Sequence, residues 1–570
     1  MTRGPRSWWS AAIAVALFAA TAAISLRGAA SAAPGIGVAA PDLDLLRRWN
    51  ATGRLESDPG SAHLTKSGYL LYLRTLLPSE GQSPSENRRF LFFNAGWLLV
   101  GEAAAAVALW RAQLRSRALF LLAFLLLYVP LRDAADYVAT EAIGSGLCMI
   151  FGACLVDLPR GRTSRAALLG VFSPLIVLVR PNVGWLLLAS AAATILFSAG
   201  HRPRMLLSLS AGALLCTALL ITAGRLTHSP LSPLNVNSSM VLMWGTADYY
   251  WLADTGQWPV GPTPEETSTL QARRAGERWA AFLGRGGPDM RRSLVWRFTH
   301  SLLSAEQLPG LVPWPRYLEY DRNARRFWFI AATAIAALGI ACLVGKGPNP
   351  YRAVPALLLS GCVAQGVLFG ADPRLALPLI PLVVLAILLA LPRRPGPAFL
   401  AVAAGCAVAL ATAIATAPDT TSSDFVLVRG PARVLSETLP PGRIPAGEIV
   451  TVHCRVLRPE PLRLGVNIFA NGTLLVSRDA AEASPFPAFF TGTIGGEVLA
   501  AARREGLRLE VRTVGSADSS DAFIFSPVFP GSAFSSTVAK LDGSSKLPSG
   551  YGGTIRGEIP VWLHPGADGP

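Results

Sequence analysis

Residues 140–182 read TEAIGSGLCMIFGACLVDLPRGRTSRAALLGVFSPLIVLVRPN, two apolar runs joined by a short loop that carries Arg160, Arg162 and Arg165. Each run approaches the roughly 20 residues with which an α-helix crosses a hydrocarbon core. A helix that is apolar all round has no face to offer water, so the pair reads as a membrane hairpin whose basic turn lies at one headgroup layer.

The composition extends that reading to the whole chain. Of its 570 residues 51% are hydrophobic and 15% charged, and the mean hydropathy is +0.40, which excludes an ordinary soluble protein of this length. About eleven apolar segments are predicted to span the membrane, at 8–28, 91–110, 118–130, 138–157, 166–180, 184–199, 205–223, 327–345, 353–370, 375–392 and 398–417. Several are short enough to need tilt or a neighbouring helix. The net charge of +15 does not indicate nucleic acid, because most arginines sit in short clusters between apolar runs, where they act as anchors. Six of the seven cysteines (Cys148, Cys154, Cys216, Cys342, Cys362 and Cys406) fall in apolar runs and only Cys454 lies in the polar tail. That distribution, with no C-x-x-C pair, argues against structural zinc and against a disulfide in the tail.

Orientation follows from the short loops. Arg3 and Arg6; Arg111, Arg115 and Arg117; Arg160, Arg162 and Arg165; Arg202 and Arg204; Lys346 and Arg352; and Arg393 and Arg394 all fall on one side when the helices alternate. This is a positive-inside pattern, with a cytoplasmic N-terminus in the cell membrane. The opposite side receives the large loops 35–90 and 224–326 and everything after 418. The stretch SLRGAASAAPG, residues 25–35, also offers the small residues of a signal-peptide cleavage site, and either reading leaves Asp42 on the outer side.

Beyond 418 the chain changes character. FVLVRGPARVLSETL and EIVTVHCRVLRPEPLRLGVNIFANGTLLVSR are short β-branched and aromatic runs between Gly, Pro, Asn and Asp. Strand and turn chemistry of this kind predicts a β-sandwich or jelly roll over 424–540, followed by a Gly/Ser-rich flexible extension. The chain therefore divides into a transmembrane domain, 1–417, and an extracytoplasmic β-rich domain, 418–570. Sequons at Asn50, Asn237 and Asn471 are read as chance in an Ala- and Arg-rich, bacterial-looking composition.

The first outer loop, DLDLLRRWNATGRLESDPGSAHLTKSGYLLYLRTLLP, starts with acid close to the first helix, continues through an amphipathic stretch ending in TG, and leads through SGYLLYL to an Asn in the second apolar run. With the acid-helix-basic-loop-helix-Arg-Pro order of 140–182 and the late GADPRLALPLIPLVVL, it resembles the GT-C glycosyltransferases. That superfamily includes the protein mannosyltransferases and aminoarabinose transferases, which use polyprenyl-phosphate sugars. The resemblance covers roughly residues 8 to 392 and implies a GT-C-like membrane domain. It departs from the family where an Asp-Glu pair is replaced by Asp42-Leu43-Asp44 and an Arg-Tyr by Arg374-Leu375, which leaves the choice of base between Asp42 and Asp44 open.

The resemblance implies transfer of a sugar from a polyprenyl-phosphate donor to an envelope glycan, lipid or protein acceptor. An acceptor hydroxyl needs a base, for which Asp42 or Asp44 serves, and a departing phosphate suits the planar fork of an arginine, for which Arg180 and Arg374 serve. Asp133, Asp136 and Glu141 are implied to position the acceptor or a divalent metal. A carboxylate followed by a long apolar run, as at Glu141, also points to a polar cavity on its own chemistry. Each has a plainer reading: helix caps for Asp42 and Asp44, an interfacial helix start for the second acidic group, a headgroup anchor for Arg180. His63, Lys66 and Tyr69 are secondary candidates for substrate contact that also read as surface residues.

The long outer segment contains Tyr249, Tyr250 and Trp251, aromatics suited either to sugar faces or to the interface. It also contains the amphipathic runs LQARRAGERWAAFLGR and MRRSLVWRFTHSLLS, whose Trp279 and Trp296 fit headgroup level. Two other functions stay open beside the enzyme. A non-catalytic GT-C-like assembly protein would use the β domain for binding. A transporter or flippase of lipid-linked glycan would be expected to carry charges at the membrane midplane, whereas the charges here are read at helix ends and outer loops.

Overall fold

The protein is described by a computed structural model, which covers residues 6–31, 40–53, 67–78, 83–128, 131, 140–198, 202–226, 261–285, 330–345, 349–368, 376–392, 394–416, 426–429, 434–444, 448–457, 464–478, 488–515, 522–525, 537–542 and 558–565. The described residues up to 416 are mostly helical: α1 (Arg6–Ser31), α2 (Ala40–Thr52), α3 (Ser67–Leu76), α4 (Pro84–Arg111), α5 (Arg115–Leu127), α6 (Thr140–Val156), α7 (Thr163–Val179), α8 (Pro181–Phe197), α9 (Arg202–Leu226) and α10 (Pro264–Arg285). After these come α11 (Ile330–Val344), α12 (Val354–Leu368), α13 (Ile380–Ala390) and α14 (Pro397–Thr416).

Every apolar segment read from the sequence coincides with one of these helices, but 4 are long and apolar enough to cross a membrane: Trp8–Ala30, Ser85–Arg111, Thr140–Arg160 and Arg202–Leu226. The others are shorter, and α13 shows why the length rule does not govern them. All of its residues are buried, so it meets protein on every side rather than lipid. A turn over 376–379, also buried, carries the chain into its first residues. One apolar core runs through α4–α9 and α11–α14.

Within that core α4 and α6 approach to backbone contact. A Cβ placed on Gly101 would lie 2.5 Å from the Gly146 carbonyl oxygen, and one on Gly146 would meet the Trp97 carbonyl. Where lipid gives no hydrophobic push between helices, small residues of this kind let dispersion and packing hold them.

The helix ends sort into two groups. At one end Arg117 donates to the carbonyls of Leu388, Leu389 and Leu391, and Asn349 donates to Ala390 O at 2.9 Å. Tyr351 Oη donates to Val156 O at 2.7 Å, Arg202 Nε to Ser198 O at 2.6 Å, and the Arg352 guanidinium stands 4.5 Å from the Phe197 ring centre. The C-terminal carbonyls of α6, α8 and α13, which no helix bond satisfies, are thus served by the loops whose charge predicted one common side.

From Val426 onward the described residues form ten strands: β1 (Val426–Arg429), β2 (Val434–Leu439), β3 (Ile449–Leu457), β4 (Leu464–Ala470), β5 (Thr473–Arg478), β6 (Ala488–Gly495), β7 (Leu507–Gly515), β8 (Ala522–Phe525), β9 (Thr537–Asp542) and β10 (Glu558–Pro565). The order is β1-β8-β3-β10-β9-β2-β7-β4-β5, with β6 on the other edge of β3, and every pairing is antiparallel. The join between β9 and β2 is a single bridge, Ser436 to Asp542. Two features differ from the sequence reading. The Gly/Ser-rich extension contributes β10, which pairs with β3 and β9, and a helix, α15 (Gly496–Glu505), interrupts the strands. The tripeptide at Asn471 is a hairpin turn: Asn471 and Gly472 both have positive φ, 46° and 82°, as a two-residue Asn-Gly turn requires.

Replacing Gly146 with Val is expected to destabilise the helical part by roughly 1–3 kcal/mol, the cost of overpacking where backbone cannot yield. Gly96→Ala, whose new Cβ meets nothing within 4 Å, is the control and should be neutral or slightly stabilising. Thermal unfolding of the two variants in detergent checks the pair.

Candidate functional site

The site is built around a corner. A residue before proline is kept out of the helical region, and proline itself suits the first position of a helix. Arg180, ahead of Pro181, accordingly has φ −140° and ψ 85°. Its N–H still donates to Ile176 O at 2.6 Å, and its carbonyl accepts from Val183 N at 3.0 Å. One residue therefore ends α7 and opens α8.

The Arg180 side chain turns inward and is only 8% exposed; its Nη2 donates to Oε1 of Glu141 at 3.1 Å, and that carboxylate is 7% exposed. Glu141 is the second residue of α6, where the helix N-terminus favours negative charge. Gly144 leaves the space that the arginine stem needs, since a Cβ there would lie 3.1 Å from Arg180 Cγ and 3.5 Å from Pro378. The 376–379 turn that leads into α13 therefore closes a third side.

The SGYLLYL helix completes this end. A Cβ on Gly68 would stand 2.8 Å from Leu178 Cβ, so the first turn of α3 presses on the last turn of α7, two residues from Arg180. Tyr69 is fully buried in a cluster with Leu45, Leu46 and Trp49 of α2 and Phe90, Leu91 and Ala95 of α4. The Arg74 guanidinium lies 4.5 Å above Trp49 and fastens α2 to α3. Tyr72 meets Phe90 edge to face at 5.3 Å.

Of the sequence candidates, the structure joins Glu141 and Arg180 directly and places Tyr69 in the α2–α3–α4 cluster, one residue after the Gly68 that packs on Leu178. Tyr69 is a core residue, not a surface one, because three helices enclose the one on which it lies. Asp42 and Asp44 lie near the N-terminus of α2, and their side chains are outside the described residues, as are His63, Lys66, Asp133, Asp136 and Arg374 altogether. So are Tyr249, Tyr250, Trp251 and Trp296, while Trp279 lies on α10. One carboxylate escaped the sequence reading: Glu102, fully buried inside α4. The signal was present, an acid within the apolar segment 91–110, and it qualifies the reading that charge gathers at helix ends.

The chemistry on offer is that of a paired buried charge. Glu141 Oε2 is buried and has no hydrogen-bond partner among the described residues, which makes it an acceptor for a hydroxyl that enters. Among the described residues no three His, Cys, Asp or Glu gather, and Glu141, paired with Arg180, is the one described carboxylate at the corner; Asp133 and Asp136, the other acids implied for a divalent metal, lie outside the described residues.

Removing one partner of such a pair strands the other charge. Arg180→Ala should therefore destabilise the protein by about 3–5 kcal/mol, while the apolar and neutral double replacement Arg180→Met with Glu141→Gln recovers most of the loss. Thermal unfolding of wild type and the two variants measures it; equal melting of Arg180→Ala and wild type would show that the pair is solvated. In comparisons with known proteins, no family model, no curated protein and no solved structure matches the chain.

Proposed function

We propose that the protein is a multi-pass membrane glycosyltransferase of GT-C type that moves a sugar from a polyprenyl-phosphate donor to an acceptor of the cell envelope. In this reading about eleven helices lie in the bilayer, the end with the basic loops is cytoplasmic, and the β-rich part, a sandwich or jelly roll, stands outside. The observation that carries it is the buried Glu141–Arg180 pair at the end opposite the basic loops, beside the α3–α2 unit whose first residues include Asp42 and Asp44.

The roles divide by charge. The acceptor hydroxyl attacks the anomeric carbon, its proton passes to Asp42 or Asp44, and the bond from that carbon to the phosphate oxygen breaks with its electron pair leaving on the lipid phosphate. Arg180 brings no net charge to this step because Glu141 balances it, so the pair orients the donor, with Glu141 Oε2 accepting from a sugar hydroxyl. Net positive charge for the departing phosphate falls to Arg374, four residues before the Pro378 that packs at the corner. A fork held where charge develops acts more on the transition state than on the bound substrate.

Glu102 favours a second reading. A fully buried carboxylate in a long apolar helix is what a transporter of lipid-linked glycan would place along its path. The two readings part cleanly: Glu102→Gln should stop transport, and Asp42→Asn with Asp44→Asn should stop transfer.

Arg374→Ala is expected to lower sugar transfer by about 100-fold or more, with Arg374→Lys recovering only part, because the charge remains but the bidentate fork is lost. Mass spectrometry of cells lacking the protein should reveal an accumulating lipid-linked sugar. Wild-type transfer by folded Arg374→Ala protein would remove the phosphate role from that residue, and unchanged lipid-linked sugars in the deletion would remove the enzymatic reading altogether.

A further inference from the structure

We propose that the groove between α3 and α4 seats one anionic glycerophospholipid taken from the surrounding bilayer, a binding site that does not depend on the transfer reading. The groove has a volume of about 1250 Å³. Its walls are apolar and reach the surface: Leu71, Phe92, Phe93 and Val100 line it and are all exposed. Exposed apolar side chains around one groove are accounted for when hydrocarbon, not water, is the neighbour.

The charge lies at one mouth. Arg88, Arg89 and Ser85, all within the first two turns of α4, line the groove with Leu76, and both arginines are exposed. Among the described residues neither has a carboxylate within ion-pair distance. They belong to the end of the helices opposite the basic loops, so the rule that places arginines on the cytoplasmic side does not explain them. Two adjacent forks at the headgroup layer match a phosphodiester and its neighbouring oxygens.

Length selects the occupant. From Arg88 to Val100 the groove follows twelve residues of α4, about 18 Å, close to the ~15 Å of one leaflet's hydrocarbon. Gly68, which lines the groove, packs against Leu178. The acyl chains of a leaflet lipid fit that run, whereas a long polyprenyl chain would pass beyond it.

Gly96 gives a way to fill the groove without disturbing the fold, since it lines the groove and a Cβ there meets nothing within 4 Å. The test is native mass spectrometry of the full chain, purified in detergent with equal phosphatidylglycerol and phosphatidylcholine, beside Arg88→Gln/Arg89→Gln and Gly96→Phe proteins of unchanged melting temperature. Wild type should retain one phosphatidylglycerol. The double arginine variant should hold it about 30-fold more weakly, as expected for two basic residues at a charged surface, and Gly96→Phe should lose it. If Gly96→Phe does not fold, the arginine variant alone decides. The proposal is overturned if wild type retains no lipid, retains phosphatidylcholine equally, holds a polyprenyl phosphate instead, or if the folded variants retain phosphatidylglycerol as wild type does.

Discussion

A guanidinium cannot shed its charge at any ordinary pH, so once the Arg-Pro corner turns Arg180 into the helix interior, a carboxylate has to meet it. Glu141 does so at 3.1 Å, and the arrangement at that end follows from the meeting. The first turn of α6 is held against the α7–α8 corner, Gly144 is obliged to lack a side chain, and the turn at Pro378 packs over the arginine stem. Because α3 presses on Leu178, the α2–α3 unit is fixed to the same corner. Two charges that would be costly apart thereby set the relative positions of five helices.

The opposite end is set by a different need. Short helices surrounded by protein leave carbonyls at their C-termini in a low-dielectric setting, where an unsatisfied group is expensive. Arg117 and Asn349 serve those of α13, and Tyr351 that of α6. Arg117 thereby partners the C-terminal carbonyls of a buried helix, where a cation is favoured, and it belongs to the basic loops on which the proposed orientation rests.

Between the ends, Glu102 and the α3–α4 groove show how differently buried and exposed surface inform function. The carboxylate is enclosed by protein. The groove opens outward between α3 and α4. The proposed transfer chemistry concerns neither directly, and sits at the corner where α3, α6, α7 and the 376–379 turn converge.

The sequence by itself determined the positions of the apolar helices, because lipid imposes an all-round hydrophobicity that needs no knowledge of neighbours. It also determined the common end for the basic loops, through strict alternation, and the strand character of the tail, through β-branched runs between turn residues. It singled out Glu141 and Arg180 separately, each as a charge at the edge of an apolar run. That they face each other was decided only by the tertiary structure, since thirty-nine residues and two helices separate them and nothing local encodes the contact. The same holds for Tyr69, read as a surface residue until three other helices enclosed it, and for β10, whose pairing with β3 joins residues 453 and 562. Long-range packing also decided that α13, eleven residues long, is stable, because burial by neighbours replaced the length that an isolated helix would need.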